Sequence, residues 1–195
     1  MVIKMKVILA TNNLHKVEEI KALVKNTNIE IISLKDFNDE DIVEETGKSF
    51  NENALLKAEF YYNKYQIPTV ADDSGLVVPS LNNQPGVFSA RYSGENATDE
   101  ENNQKLLQSM KNIADRQAYF HCSVCYFDGE ANYFEGKLYG TIANNLVGNN
   151  GFGYDPLFIL NDSKRLAQKT MDEKNKISHR AKAFSKWLEF MIRRG

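Results

Sequence analysis

The chain has 195 residues, 42% hydrophobic and 26% charged, which is ordinary for a soluble globular domain with one core or two joined lobes. Lys and Arg number 24 against 26 Asp and Glu, a formal charge of −2, which argues against a nucleic-acid binder with its basic footprint. No apolar run approaches the roughly 20 residues of a membrane helix, and Met1 to Ala10 is too short and too soon polar for a secretory signal, so the chain reads as cytoplasmic with no membrane partner.

In chain order, Lys6 to Ala10 is an apolar run expected to form a buried strand. Val17, Ile20, Leu23 and Val24 then recur at helical spacing, so the strand feeds a helix through Thr11-Asn12-Asn13. Ile29 to Leu34 reads as a second strand. Ser49 to Glu52 has the spacing of a capping box, opening a helix whose apolar face carries Phe50, Ala54, Leu55, Ala58, Tyr62 and Tyr65. After Pro68, Thr69 to Ala71 is a short strand that ends in an Asp72-Asp73 turn. Thr98 to Glu101 is another capping box, for a helix reaching about Met110. Ala118 to Phe127 and Ala131 to Tyr139 form a hairpin about Asp128-Gly129. Asn144 to Gly153 is a Gly/Asn-rich loop. Ala183, Phe184, Trp187, Leu188, Met191 and Ile192 mark the apolar side of a last helix, opened by Ser178 as its N-cap. Strands and helices mixed throughout imply an α/β protein with one continuous sheet system.

Three separated segments carry chemistry that makes sense together. Thr11 to Lys16 follows a strand and begins a helix, where backbone amides, the Thr11 hydroxyl and the Lys16 ammonium suit an anion. Alternatively, Thr11 or Asn13 merely caps the helix and Lys16 is solvated. The segment is not a P-loop, since G-x-x-x-x-G-K-[ST] is absent and no Gly precedes Gly47. Asp72-Asp73-Ser74-Gly75 sets two carboxylates side by side, a repulsive arrangement unless a cation relieves it, and Mg²⁺ commonly takes one or two carboxylates with substrate phosphates. Glu44-Glu45 is a second acidic pair before a helix start, of a kind that is mostly solvated. His179 and Arg180 oppose the dipole preference of a first helical turn, which asks for an anionic or carbonyl-bearing ligand, with Lys174 in reach.

Two further patterns need weighing. Gly151 to Pro156 lacks the third Gly and the βαβ context of a dinucleotide fingerprint. It remains a loop presenting Phe152 either to a base or to the core. Cys122 and Cys125 lie three apart in a strand, on opposite faces, and read as core cysteines, not as a disulfide or zinc pair.

Taken in order, the strings T-N-N-x-x-K, E-E-T-G-x-[ST]-F-x-E-N-A, A-D-D-S-G-L, P-G-x-x-S-A-R-Y-S-G, G-x-x-G-F-G-Y-D-P-x-F and E-K-N-x-I-S-H-R-x-x-A closely resemble the inosine triphosphate pyrophosphatase family. The resemblance spans roughly Lys6 to Arg193. It implies hydrolysis of inosine, deoxyinosine and xanthosine triphosphates to monophosphate and pyrophosphate, with Mg²⁺ as cofactor and a homodimer as assembly. The fold it implies is an elongated mixed β-sheet with flanking helices, one domain over residues 1–195 with two lobes around a central substrate cleft.

By the same resemblance Asp73 is general base and metal ligand, Glu45 the second metal carboxylate, and Asp72 a residue orienting the metal shell. Thr11, Asn12, Asn13, Leu14, His15, Lys16 and Ser74 hold phosphates and sugar. Phe152 stacks on the purine, Gly153, Tyr154 and Asp155 shape its surroundings, and Lys174, His179 and Arg180 read the base. A related pyrophosphatase for modified pyrimidine or methylated nucleotides and a non-hydrolysing nucleotide sensor are the rival readings.

Overall fold

The structure is a computed structural model that describes residues 4–194, without the side chain of His15. The elements are β1 (Met5–Leu9), α1 (Leu14–Val24), β2 (Ile29–Ser33), α2 (Phe50–Tyr65), β3 (Thr69–Val78), β4 (Gln84–Pro85), α3 (Asp99–Ser109), β5 (Gln117–Phe127), β6 (Ala131–Ile142), β7 (Phe158–Ile159), α4 (Met171–Ile177) and α5 (His179–Arg194). Among the described residues the strands hydrogen-bond in the order β2-β1-β3-β5-β6-β7, with β4 on β3. β1 runs parallel to both β2 and β3, and β6 antiparallel to β7, so the sheet is mixed and the fold α/β. The parallel β1–β2 pair requires a crossover, which α1 provides.

The chain forms two compact units. The first holds the chain up to Asp73, Cys122–Gly136 and everything from Ala181 on; the second holds Ser74–His121 and Lys137–Arg180. The first unit buries both faces of its strands, which explains the unbroken apolar run of β1. Val7 and Leu9 join Cys122, Val124, Phe184 and Trp187 in one cluster, while Ile8 and Ala10 join Ala54, Ala58 and Cys125 in another. Each large buried side chain there contributes about 1.5–3 kcal/mol by leaving water. Neither Cys122 nor Cys125 is in a disulfide, and the two sit in different clusters, as their odd spacing requires. The second unit centres on Leu76, Leu106, Phe120, Leu138, Leu157 and Phe158.

Several local expectations need correction. Asp72 and Asp73 do not form a turn; β3 continues through them to Val78, with Lys16 pairing the Asp72 carboxylate and Asn53 donating to that of Asp73, so that both side chains are held while the backbone stays extended. Ser49 caps α2 by accepting the Glu52 N–H, but the Glu52 carboxylate accepts from Lys48 N–H at 2.6 Å, so the box does not close on Ser49. The buried face of α2 runs Phe50, Asn53, Ala54, Ala58, Tyr61, with Tyr61 in place of Tyr62. Ile192 of α5 is exposed, its stripe ending at Met191. α4 was not expected at all; Thr170 and Glu173 close a full capping box for it, and Ser178 is the extended residue joining it to α5.

Candidate active site

The register of the parallel strands builds the first part of the site. β1 pairs with β3 at Ile8↔Thr69 and Leu9↔Val70, so Asp72 and Asp73 lie beyond the carboxyl end of β1. Thr11 to Lys16 begins at that same end. Asn13 caps α1, its side chain accepting from Lys16 N–H at 3.3 Å, while Thr11 Oγ1 accepts from Asn13 N–H at 3.2 Å. The capping role is therefore real, and it fixes the turn that presents the helix amides. Asn12 and Leu14 are exposed. The His15 side chain lies outside the described residues. Lys16 is not simply solvated: its Nζ lies 2.9 Å from Asp72 Oδ2, and the Asp72 side chain is only 1% exposed.

Asp73 sits in a denser arrangement. Asn53, fully buried on α2, donates from Nδ2 to Asp73 Oδ2 at 3.0 Å and accepts from Gly47 N–H at 2.7 Å. That amide ties the Glu44-Glu45 segment to β3. Gly47 is required there by space, since a Cβ would come 2.5 Å from Asn53 Oδ1. Four residues beyond Asn53, and so on the same side of the helix, Lys57 places its ammonium 2.6 Å from Glu45 Oε1 and 2.7 Å from the Asp72 carbonyl oxygen. Burial works against the Lys57 charge, yet Asp73, Glu45 and Asp72 together hold its pKa above the ordinary value. Burial raises the Asp73 pKa, Lys57 opposes that rise, and Glu45 adds to it. The cluster is thus a set of carboxylates short of positive charge.

The second unit carries the other expected residues. Gly151 and Gly153 have φ of +79° and +61°, a left-handed path that turns the loop sharply about Phe152. The Phe152 ring is 36% exposed and rests over Lys174 Nζ at 4.5 Å, with Arg180 Cζ 5.8 Å from its centroid. Two cations thus lie close to the ring while part of it stays open to solvent. Asp155 accepts from Lys174 Nζ at 2.6 Å and from Phe152 N–H at 3.3 Å. Burial raises the Asp155 pKa and Lys174 opposes the rise. Tyr154 is buried, its hydroxyl donating to the Ser89 carbonyl at 2.9 Å, so only one of the two loop aromatics is presented. His179 stacks on Phe120 at 5.0 Å with the planes 13° apart, and Arg180 Nη2 donates to Ser74 Oγ at 3.2 Å.

Sequence reasoning missed Asn53 and Lys57. Asn53 stood inside a quoted string, and its spacing to Lys57 on one helix face was the available signal. Asp99 and Asn103, which hold Gly153, carried no sequence signal.

A family model described as the Ham1 family matches residues 7–190. The chain is 47% identical over 194 residues to a protein of Thermoanaerobacter pseudethanolicus named dITP/XTP pyrophosphatase, covering 97% of this chain and 98% of that one. Among solved structures, the Ham1 protein of Staphylococcus aureus superposes with a TM-score of 0.90 at 38% identity, covering 97% of this chain and all of that one. A HAM1 protein from Coxiella burnetii gives a TM-score of 0.91 at 38% identity, over 97% of this chain and 99% of that one.

Proposed function

This chain belongs to the Ham1 family, and from that premise we propose that it hydrolyses dITP, ITP and XTP to the monophosphate and pyrophosphate, clearing non-standard purines from the nucleotide pool. The observation that carries the reading is the buried Asp73 carboxylate, held by Asn53 and flanked by Lys57 and Glu45. A site that only binds phosphate needs cations there, not a raised carboxylate.

Asp73 is the general base: burial lifts its pKa toward that of a useful proton acceptor, and Asn53 fixes one oxygen. It removes the proton of a water directed at the α-phosphorus. Lys16 and the amides at the start of α1 bind the phosphate chain and offset charge on the departing pyrophosphate. Asp72 keeps the Lys16 ammonium in place. Lys57 sets one positive charge against the Asp73 and Glu45 carboxylates.

The donor set fits Mg²⁺. Among the described residues no three His, Cys, Asp or Glu side chains converge as a metal-holding group, but two carboxylates with phosphate oxygens are a common Mg²⁺ environment. Glu45 and Asp73 are the residues that would hold it. When bound, the ion would supply Lewis-acid stabilisation of phosphoryl charge.

For the base, hypoxanthine and xanthine offer a carbonyl at position 6 to donors on Lys174, His179 and Arg180, with Phe152 stacked on the ring. Adenine presents an amino group instead. Donor would face donor among buried side chains, costing about 1–3 kcal/mol per mismatch. The reading carries a homodimer and a cytoplasmic location as well, the first checked by molar mass in solution. Pyrophosphate release from dITP, absent from an Asp73→Asn variant, tests the whole.

A further inference from the structure

The loop that presents Phe152 is gripped from α3. Gly153 N–H donates to Asp99 Oδ2 at 2.6 Å, and Asn103 Nδ2 donates to the Gly153 carbonyl at 2.8 Å. The same Asn103 amide also donates to the Asp99 carbonyl at 2.8 Å. Both backbone polar groups of Gly153 are therefore held by the first two turns of a helix some fifty residues earlier. Asn103 is buried, and both its partners are carbonyl oxygens, so the amide has one workable orientation. Its own Oδ1 is buried without a partner in the described structure. Orphaning a buried oxygen costs free energy, and here that oxygen is left over by a geometry that spends both Nδ2 hydrogens on Asp99 and Gly153.

Gly153 sits at φ +61°, next to a Phe152 whose ring is stacked over Lys174 and whose N–H is tied to Asp155. Asp155 accepts from Phe152 N–H and the Tyr154 hydroxyl donates to Ser89, so the residues on either side of Gly153 have their own anchors. The α3 contacts are what hold the left-handed Gly153 itself, a residue whose backbone is otherwise permissive, and with it the direction of the adjoining ring. We propose that Asp99 and Asn103 are positioning residues for the purine: they touch no reacting atom, and they fix Phe152 so that base binding and base selectivity are pre-organised. This rests on the base-stacking role proposed for Phe152.

The test measures dITP kinetics in wild type and in Asp99→Ala, Asp99→Asn and Asn103→Leu, with inorganic tripolyphosphate as a base-free competitive inhibitor. The expected result is a KM for dITP raised about tenfold in Asp99→Ala and Asn103→Leu, with kcat within about twofold and the tripolyphosphate inhibition constant unchanged. Asp99→Asn, which keeps an acceptor oxygen for Gly153 N–H, should recover most of the KM. Unchanged KM values overturn the proposal. So does a parallel rise in KM and in the tripolyphosphate constant, which would mean general loss of structure. Wild type that releases no pyrophosphate from dITP would instead overturn the activity itself.

Discussion

The Lys57 ammonium stands 2.6 Å from the Glu45 carboxylate, and both act on the charge of Asp73. One positive group thus serves two acidic side chains contributed by different segments. Replacing it with an apolar residue of similar length leaves those carboxylates repelling one another.

Lys57→Met should therefore lower kcat for dITP by roughly a hundredfold, with Lys57→Arg recovering part of it. Steady-state kinetics with pyrophosphate detection decide this. A Lys57→Met enzyme at wild-type rate would remove Lys57 from the charge balance of the site.

Asp73→Asn keeps an oxygen that can accept from Asn53 but cannot take a proton. Turnover should fall by about 10²–10⁴-fold, while nucleotide binding, read by calorimetry, persists. Loss of binding in step with turnover would point to a purely structural Asp73.

Arg180, 2% exposed, lies 5.8 Å from the centroid of the Phe152 ring. Arg180→Ala should narrow the preference for dITP over dATP by about tenfold. The ratio of the two kcat/KM values is the measurement, and an unchanged ratio would rule out base readout by this side chain.

Away from the site, Asp39 accepts from Lys64 Nζ at 2.8 Å and from the Tyr65 hydroxyl at 2.5 Å, and the two bonds pull its pKa down to about 2. A carboxylate depressed from about 3.9 in the unfolded chain adds stability above that pH. The contribution is lost as pH falls through its folded value. Thermal midpoints should drop between about pH 4 and 2 in wild type, and more shallowly in Asp39→Asn. Parallel curves would contradict the assignment.

What was legible in the sequence was local. α1 and α3 appeared from apolar spacing and from Thr98 with Glu101, because a helix and its cap are written within a few adjacent residues. β3 was cut short at Ala71 because adjacent Asp residues resemble a turn, whereas their partners Lys16 and Lys57 stand 56 and 15 residues away from Asp72 in the chain. Only tertiary structure brings that charge to them. The seven-residue α4 is hidden for another reason: it lacks an apolar stripe. In the candidate site, Lys16, Asp73, Phe152 and Arg180 could be named from strings, while Lys57, Asn53 and Asp99 act through distances that no string records.

The most direct measurement is product release from dITP and dATP side by side, each with Mg²⁺ and with chelator. The account predicts rapid pyrophosphate from dITP that stops with chelator, and little product from dATP. Orthophosphate from dITP, or equal release from both nucleotides, would contradict it.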